Sequence, residues 1–220
     1  MLVVQQINSL RKMTSTLKVP AARRSQFDRR QQSESELLRA AAELIVERGM
    51  AAATFENIGA RAGYSRGLVT QRFGSKQGLI EALIARLQAR LQHLLTDRQL
   101  ESANGLEAIL GFVDIYLRNL AEDGEMRAYF MMMSGAVAEI SDLRGPFAAA
   151  HKDVEIRLET LFLRGQAEGV IRPGFNADSA ALMVGALLLG LSTQKLVDPD
   201  LDLDPIRETS LETLRSSFAA

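Results

Sequence analysis

Side chains that can bond to nucleic acid are concentrated in one short segment, residues 54–76, with the sequence TFENIGARAGYSRGLVTQRFGSK. Arg and Gln side chains can pair with the edges of guanine and adenine, and Ser and Thr hydroxyls can bond to phosphate oxygens. The candidate contact residues are Thr54, Tyr64, Ser65, Arg66, Gly67, Thr70, Gln71, Arg72 and Lys76. These residue types predict a surface that binds the groove of a DNA duplex.

Two short helices joined by a tight turn would present these residues on one face. Thr54 is a candidate N-cap, because its hydroxyl can accept a hydrogen bond from a backbone N–H in the first turn. Gly63 stands where a helix ends and the chain reverses, and Ser65 is a second N-cap candidate. Leu68 and Val69 can then face inward. This helix-turn-helix pattern is typical of a major-groove reader, although an ordinary helical hairpin with a solvated second helix shares it.

Each flanking segment predicts a further amphipathic helix. Upstream, residues 37–50 (LLRAAAELIVERGM) have helical apolar spacing, and Ser33 and Glu36 have the spacing of a capping box at its start. Downstream, Ser75 is expected to cap a helix that opens with Lys76. The apolar stripe of that helix is Leu79, Ile80, Leu83, Ile84 and Leu87.

The segments LLRAAAELIVERG, TFENIGARAGYSRG and RFGSKQGLI follow one another over roughly residues 33–90. In this order and spacing they resemble the DNA-binding domain of the TetR family of one-component transcriptional repressors. The resemblance implies an all-α fold of about nine helices, with an N-terminal three-helix helix-turn-helix domain and a C-terminal helical ligand-binding and dimerisation domain. It also implies a dimeric repressor that binds a palindromic operator and is released by a small-molecule effector.

Two positions depart from the family pattern. The family usually has Tyr, which commonly contacts a phosphate, where this chain has Thr70, and often His where it has Arg72. Thr70 is shorter than Tyr, and Arg72 is a candidate to supply the phosphate contact instead.

The charge is divided unevenly along the chain. Residues 1–90 hold 15 basic and 7 acidic residues, a formal net charge of +8, whereas residues 91–220 hold 11 basic and 20 acidic residues, a net charge of −9. Such asymmetry is expected where one part binds a polyanion and the other does not. The helix-turn-helix lies in the basic part, so we expect DNA binding that weakens steeply with salt.

Composition restricts the class of protein further. The chain has no Cys, which excludes disulfides, thiolate chemistry and Cys-based metal sites. The apolar run at residues 180–191 is shorter than a bilayer span, and the N-terminal residues have the wrong order of charge and apolarity for a secretory signal. We expect a cytoplasmic protein without a cofactor or a metal site.

We divide the chain into a basic, flexible N-terminal extension (residues 1–32), the helix-turn-helix domain (33–80) and a helical effector-binding and dimerisation domain (81–220). The extension is interpreted as a disordered leader, with an arm that follows phosphates or enters the minor groove as the alternative for residues 23–30. The positions of Gly, Pro and Asp residues that end helices predict that the helix starting at Lys76 continues to about residue 97. They predict further helices at about residues 106–120, 125–140, 145–168, 177–197 and 205–218.

The C-terminal half offers a candidate ligand site. Four of the eight Met residues lie between Met126 and Met133, and Met is adaptable enough to line an apolar pocket, although these residues are equally suited to filling a core. His151 is interpreted as satisfied or exposed, with ligand hydrogen bonding as the alternative and metal binding disfavoured. The candidate effector residues are Phe112, Tyr116, Tyr129, Phe130, Met133, His151, Phe162 and Met183.

The eighth predicted helix, at about residues 177–197, is apolar on nearly all of its faces over residues 180–191, so it must be buried on more than one side. We expect helices 8 and 9 to form a homodimer interface, as the family resemblance implies. Other functional classes remain as alternatives: a helical protein–protein adaptor without DNA binding, or a transcriptional activator with the same DNA domain. An enzyme is disfavoured because the scattered carboxylates lack a positioned acid–base partner.

Overall fold

The computed structural model describes residues 26–97, 100, 102–139 and 143–220. These residues form nine α-helices and one short 3-10 helix at Met50–Ala52, with no β-strand among them, which confirms the predicted all-α fold. The α-helices are α1 Gln26–Arg48, α2 Phe55–Ala62, α3 Arg66–Phe73, α4 Lys76–Asp97, α5 Gly105–Glu122, α6 Gly124–Ala138, α7 Arg144–Ala167, α8 Ala177–Val197 and α9 Asp204–Phe218.

The start of α1 differs from the sequence prediction. The helix begins at Gln26, upstream of the predicted cap, so Ser33 lies inside it and its hydroxyl donates to the Arg30 carbonyl at 2.9 Å. The predicted capping box of Ser33 and Glu36 is therefore wrong, because neither residue stands at a helix N-terminus. Residues 26–32, which we predicted to belong to the flexible N-terminal extension, instead form the first turns of α1.

The chain divides into two compact units, residues 1–34 and residues 35–220. Residues 1–25 lie outside the described part of the chain, and with them most of the segment proposed as a leader or a DNA-binding arm. Both interpretations of that segment and the predicted division of the chain into three domains stay predictions.

The later helices begin and end close to the predicted positions because their caps are encoded locally. Ser75 accepts a hydrogen bond from the N–H of Gly78 at 3.1 Å, as expected for the cap of α4. Asn104 and Asn176 cap α5 and α8 by accepting from the N–H groups of Glu107 and Ser179. Each cap satisfies a backbone donor that the helix leaves without an internal partner.

Helices α5 and α7 cross at very short range. A Cβ atom placed on Gly105 would lie 2.3 Å from the backbone nitrogen of Gly165 and 2.4 Å from the carbonyl oxygen of Leu161. Arg164 donates to the carbonyl of Ala103 at 2.7 Å, and the N–H of Gly105 donates to Glu168 at 2.7 Å. The crossing therefore requires a residue without a side chain at position 105.

Helix α9 closes the C-terminal half of the molecule. The Phe218 ring packs edge-on against Phe162 with centroids 4.7 Å apart, and both side chains are fully buried. On the surface, the Arg215 guanidinium makes two bonds to the Glu107 carboxylate on α5, at 2.5 and 2.9 Å. Residues far apart in sequence thus join the last helix to α5 and α7.

Helix α8 is long and apolar enough, by length and composition, to cross a membrane, and among the described residues it is the one helix of which this holds. It packs most extensively against α7 and also contacts α5 and α6. Ala181, Val184 and Leu188 are buried in the core, whereas Leu182 and Met183 are exposed. Its apolar residues are therefore divided between the core and an outer face.

The crossing of α5 and α7 generates a stability prediction. Substitution Gly105→Ala forces the new methyl group into backbone atoms, so we expect the free energy of unfolding to fall by about 1–3 kcal/mol. The measurement is urea unfolding followed by circular dichroism. Gly135→Ala on α6 is the matched control: its Cβ meets nothing within 4 Å, and Ala should stabilise the helix by about 0.5–1 kcal/mol. Equal effects of the two substitutions would contradict this description of the crossing.

Candidate nucleic-acid interface and ligand cavity

Two side-chain caps set the orientation of α2 and α3. Thr54 accepts a hydrogen bond from the N–H of Asn57, and Ser65 accepts one from the N–H of Leu68, both at 3.2 Å. Gly63 ends α2 in the left-handed conformation with φ of 76°, which glycine adopts without a steric cost. The predicted caps and the predicted turn are confirmed.

Gly59 sets how closely the two helices approach, and the sequence analysis missed it. A Cβ atom on Gly59 would lie 2.8 Å from the carbonyl oxygen of Tyr64 and 3.2 Å from the backbone nitrogen of Arg66. The N–H of Tyr64 also donates to the Gly59 carbonyl at 2.8 Å. The signal available in the sequence was a Gly in the middle of a short helix, a position that costs stability unless backbone packs there.

Helix α3 has one buried face and one polar face. Val69 and Phe73 are buried in the core, and Leu68 is half-buried against it. The opposite face is solvent-exposed and carries Arg66, Gly67, Thr70 and Gln71, with Lys76 exposed at the start of α4. Because α3 contains no Asp or Glu, nothing on this helix would repel a phosphate backbone.

Three of the predicted contact residues have other partners or less exposure. Tyr64 is half-buried and donates its hydroxyl hydrogen to the Glu36 carboxylate on α1 at 2.5 Å, which raises the pKa of Tyr64. Thr70 donates to the carbonyl of Arg66 at 3.1 Å, and Arg72 is half-buried. Tyr64 therefore ties the turn to α1, a role that its sequence context did not indicate. Whether these residues contact DNA stays a prediction.

A cavity of about 240 Å³ lies among α4, α5, α6, α7 and α8. Its wall is mainly aliphatic and aromatic, with a few polar side chains between the apolar ones. The apolar residues include Ile84, Leu87, Leu91, Leu94, Met126, Val154 and Leu189. The polar and titratable residues are Gln88, Arg90, Tyr116, Asn119, Asp123, Tyr129, His151 and Glu155. A concave, mainly apolar pocket with a few polar groups is the usual form of a small-molecule site.

The structure brings together half of the predicted effector residues. Tyr116, Tyr129, Phe130 and His151 line the cavity. The others lie elsewhere: Phe112 and Phe162 are buried in the core, Met133 is half-buried, and Met183 is 51% exposed on the outer face of α8. A pattern of apolar residues on a helix does not indicate which of its faces borders a void. These four residues do not line this cavity, and their role in effector binding stays a prediction.

Aromatic rings form a continuous series along the cavity wall. Tyr129 meets Phe130 edge-on at 5.0 Å, and Phe130 meets Tyr116 edge-on at 6.4 Å between centroids. On the other side, the His151 ring lies nearly parallel to Tyr129 at 6.3 Å. Burial raises the pKa of both tyrosines and lowers the pKa of His151, because it disfavours the charged form of each group.

Charged groups at the cavity are paired. Arg90 donates to the Asp123 carboxylate at 2.5 Å, and Asp123 also caps α6 by accepting from the N–H of Glu125. Glu155 pairs with Lys152 at 2.6 Å, which lowers the pKa of Glu155. Among the described residues there is no group of three or more His, Cys, Asp or Glu side chains arranged to hold a metal ion.

Helix α4 belongs to the cavity wall and also contacts the helix-turn-helix. Ile84 and Leu87 border the cavity, whereas Arg86, between them in sequence, donates to the Ser35 hydroxyl on α1 at 2.7 Å. The same guanidinium pairs with Glu125 on α6 at 2.9 Å. Arg86 therefore joins α4 to both α1 and α6.

The sequence and the fold match known regulators. Residues 37–83 match the family model described as bacterial regulatory proteins, tetR family. The chain is 38% identical over 66 residues to the HTH-type transcriptional repressor Rv3405c of Mycobacterium tuberculosis, a match that covers 30% of this chain and only 35% of that repressor. It is 26% identical over 204 residues to the HTH-type transcriptional regulator TtgR of Pseudomonas putida, covering 86% of this chain and 94% of TtgR.

A solved structure of similar fold extends the match through the C-terminal half. The SmeT–triclosan complex superposes with a TM-score of 0.69 and 26% identity, covering 86% of this chain and 92% of that one. SmeT is the repressor of the Stenotrophomonas maltophilia multidrug efflux pump SmeDEF. The similarity therefore includes the helices that border the cavity as well as those that form the helix-turn-helix.

The lowered pKa of His151 generates a prediction about pH. Since the folded-state pKa lies below the ordinary value of 6.5, the unfolded chain binds the proton more tightly. The stabilisation is complete above pH 6.5 and is lost as the pH falls from there through the folded-state pKa. Between about pH 7.5 and about pH 5.5, the melting temperature should fall by roughly 2 °C or more beyond the fall seen for His151→Gln. Identical pH profiles would contradict the burial of His151.

Proposed function

Because this chain belongs to the TetR family of transcriptional regulators, we propose that it is a dimeric, ligand-responsive repressor that binds a palindromic operator through α3. The observation that carries the proposal is the exposed, polar and acid-free face of α3, presented by two capped helices that Gly59 allows to pack closely. Such a helix fits the major groove of DNA, with its side chains directed at base edges.

Electrostatics support the same role. The net charge of +8 on residues 1–90 favours association with a polyanion, whereas the net charge of −9 on residues 91–220 disfavours it. Arg66 and Gln71 are the candidates for base contacts, and Thr54, Ser65 and Lys76 are candidates for phosphate contacts. We propose that the protein acts in the cytoplasm, where the bacterial chromosome is accessible.

The outer surface of α8 and α9 supports dimerisation. Met183 on α8 is a large apolar side chain that is 51% exposed. One turn further along α8, Leu187 borders a shallow surface groove together with Ile206 of α9. A two-fold copy of this surface would cover these residues and place two α3 helices about one DNA turn apart.

The cavity supports regulation by a small molecule. A ligand that fits there would contact α4 at Ile84 and Leu87, and Arg86 of the same helix bonds to α1. Ligand and operator then favour different positions of α4, so each lowers the affinity for the other by the same factor. SmeT, a repressor, is known in complex with triclosan, and we propose by analogy that this cavity takes a hydrophobic effector.

The first functional prediction concerns the DNA contact. Arg66→Ala should weaken binding to a duplex selected by the protein from random DNA roughly tenfold or more, and should reduce the slope of log K against log salt by about one. Gln71→Ala should weaken binding and relax the base preference at one position of each half-site. The measurement is fluorescence anisotropy over a series of salt concentrations.

Arg118→Ala is the matched control for Arg66→Ala. It also removes one exposed cation, but from α5, where Arg118 pairs with Asp114. Its DNA affinity and salt slope should equal those of the wild type. Equal losses for the two substitutions would mean that net charge alone governs binding and that α3 is not the reading helix. The absence of measurable affinity for any duplex would favour the adaptor alternative, and transcription assays separate a repressor from an activator.

The second functional prediction concerns the dimer. Met183→Glu places a charge at the proposed two-fold surface, so the dimer dissociation constant should rise at least about 100-fold, because an unpaired charge is costly to bury. Light scattering after size exclusion should then show a monomer. Val137→Glu is the control: Val137 is also exposed, but on α6. A monomer with the control substitution, or a dimer with Met183→Glu, would place the interface elsewhere.

A further inference from the structure

Two adjacent polar groups at the cavity are without a hydrogen-bond partner among the described residues. They are the hydroxyl of Tyr129 on α6 and the imidazole of His151 on α7, whose rings lie nearly parallel with centroids 6.3 Å apart. The Tyr129 side chain is 7% exposed and His151 is half-buried. The Tyr129 hydroxyl and the His151 nitrogens are not among the fully buried atoms without a partner in the described residues, so each is open to a hydrogen bond with water or a ligand in the cavity.

The hydroxyl hydrogen of Tyr116, the other tyrosine at the cavity, is already in a hydrogen bond within the protein. The Ser192 hydroxyl donates to the Leu188 carbonyl at 2.8 Å, so it can only accept from the Tyr116 hydroxyl, which lies 2.8 Å away. The hydrogen of Tyr116 therefore points to Ser192 and away from a ligand. Tyr129 and Tyr116 differ in this respect although both border the same cavity.

The cavity has no charge to offer a ligand ion. Asp123 is neutralised by Arg90, and Glu155 is neutralised by Lys152. His151 is uncharged near neutral pH because burial lowers its pKa. An ion entering the cavity would lose its hydration without gaining an unpaired counter-charge, which costs several kilocalories per mole for a buried charge.

We infer that the cavity binds a compact, uncharged aromatic molecule with one hydroxyl group, whose oxygen accepts from Tyr129 and whose hydrogen is donated to His151. A neutral imidazole has one acceptor nitrogen, so the pair offers one donor and one acceptor side by side. The edge-on rings of Tyr116 and Phe130 suit the contact of a flat aromatic ligand. The volume of about 240 Å³ favours one or two fused rings over a long chain. This inference rests on the proposed role of the cavity as the effector site.

The test uses four probes of one shape and different charge: 2-naphthol, naphthalene, 2-naphthoate and protonated 2-naphthylmethylamine. Their binding to the full-length protein at neutral pH is followed by naphthalene fluorescence. We expect 2-naphthol to bind with a dissociation constant of roughly 0.1 mM. The two ions should bind at least about 100-fold more weakly than 2-naphthol.

Two matched variants separate the hydrogen bond from general changes in the cavity. Tyr129→Phe should weaken 2-naphthol binding roughly tenfold and leave naphthalene binding within about twofold. Tyr116→Phe removes the same atom from the same cavity and should leave the affinity ratio of the two probes unchanged. Thermal melts should show that Tyr129→Phe is as stable as the wild type, because that hydroxyl has no bond to lose.

The inference is overturned if either ion binds as tightly as 2-naphthol, if the two variants change the affinity ratio equally, or if 2-naphthol does not bind. If 2-naphthol binds with the expected selectivity but leaves the operator complex intact, the inference about the cavity is supported. The same result contradicts the proposed release of the operator by an effector. The failure of this proposal and the failure of the proposed function therefore have different readouts.

Discussion

The hydrogen bonds of Arg86 join α1 of the helix-turn-helix domain to the helices that border the cavity. Its guanidinium lies on α4, donates to Ser35 on α1 and pairs with Glu125 on α6. The side chain is 33% exposed, so water only partly screens these bonds, and both partners are held in place by regular helices. These hydrogen bonds add direction to the apolar contacts between the helices, because apolar contacts are less directional than hydrogen bonds.

Helix α4 makes two ion pairs with the start of α6, through Arg86 and Arg90. Arg90, one turn beyond Arg86, pairs with Asp123 at the border of the cavity. The two arginines thus connect α4 to the first turn of α6, one beside the cavity and one beside α1. In the proposed regulation, a ligand that displaces α4 would act on both pairs, and we propose these pairs as the link between the cavity and α1. An effector need only favour one arrangement of these pairs by the one to three kilocalories per mole typical of allosteric coupling, about 5- to 150-fold in affinity.

Local signals in the sequence predicted much of this fold. Thr54, Ser65 and Ser75 were predicted as caps, and each accepts the expected backbone hydrogen bond. The start of α1 was wrong because Ser33 has the residue type of a cap but stands within a continuous helix. Long-range pairs such as Tyr64 with Glu36 were missed, since a side chain chooses its partner only after the helices pack. Of the predicted effector residues, Tyr129 and His151 border the cavity and Met183 does not, because helical spacing does not encode where a void remains.

DNase I footprinting on the DNA that flanks the gene tests the central claim most directly. The account predicts one protected segment with two-fold symmetry, containing two half-sites about one helical turn apart, whose protection disappears as the salt concentration rises. A folded, dimeric protein that protects no segment at low salt would contradict it, as would protection that follows no sequence and shows no symmetry.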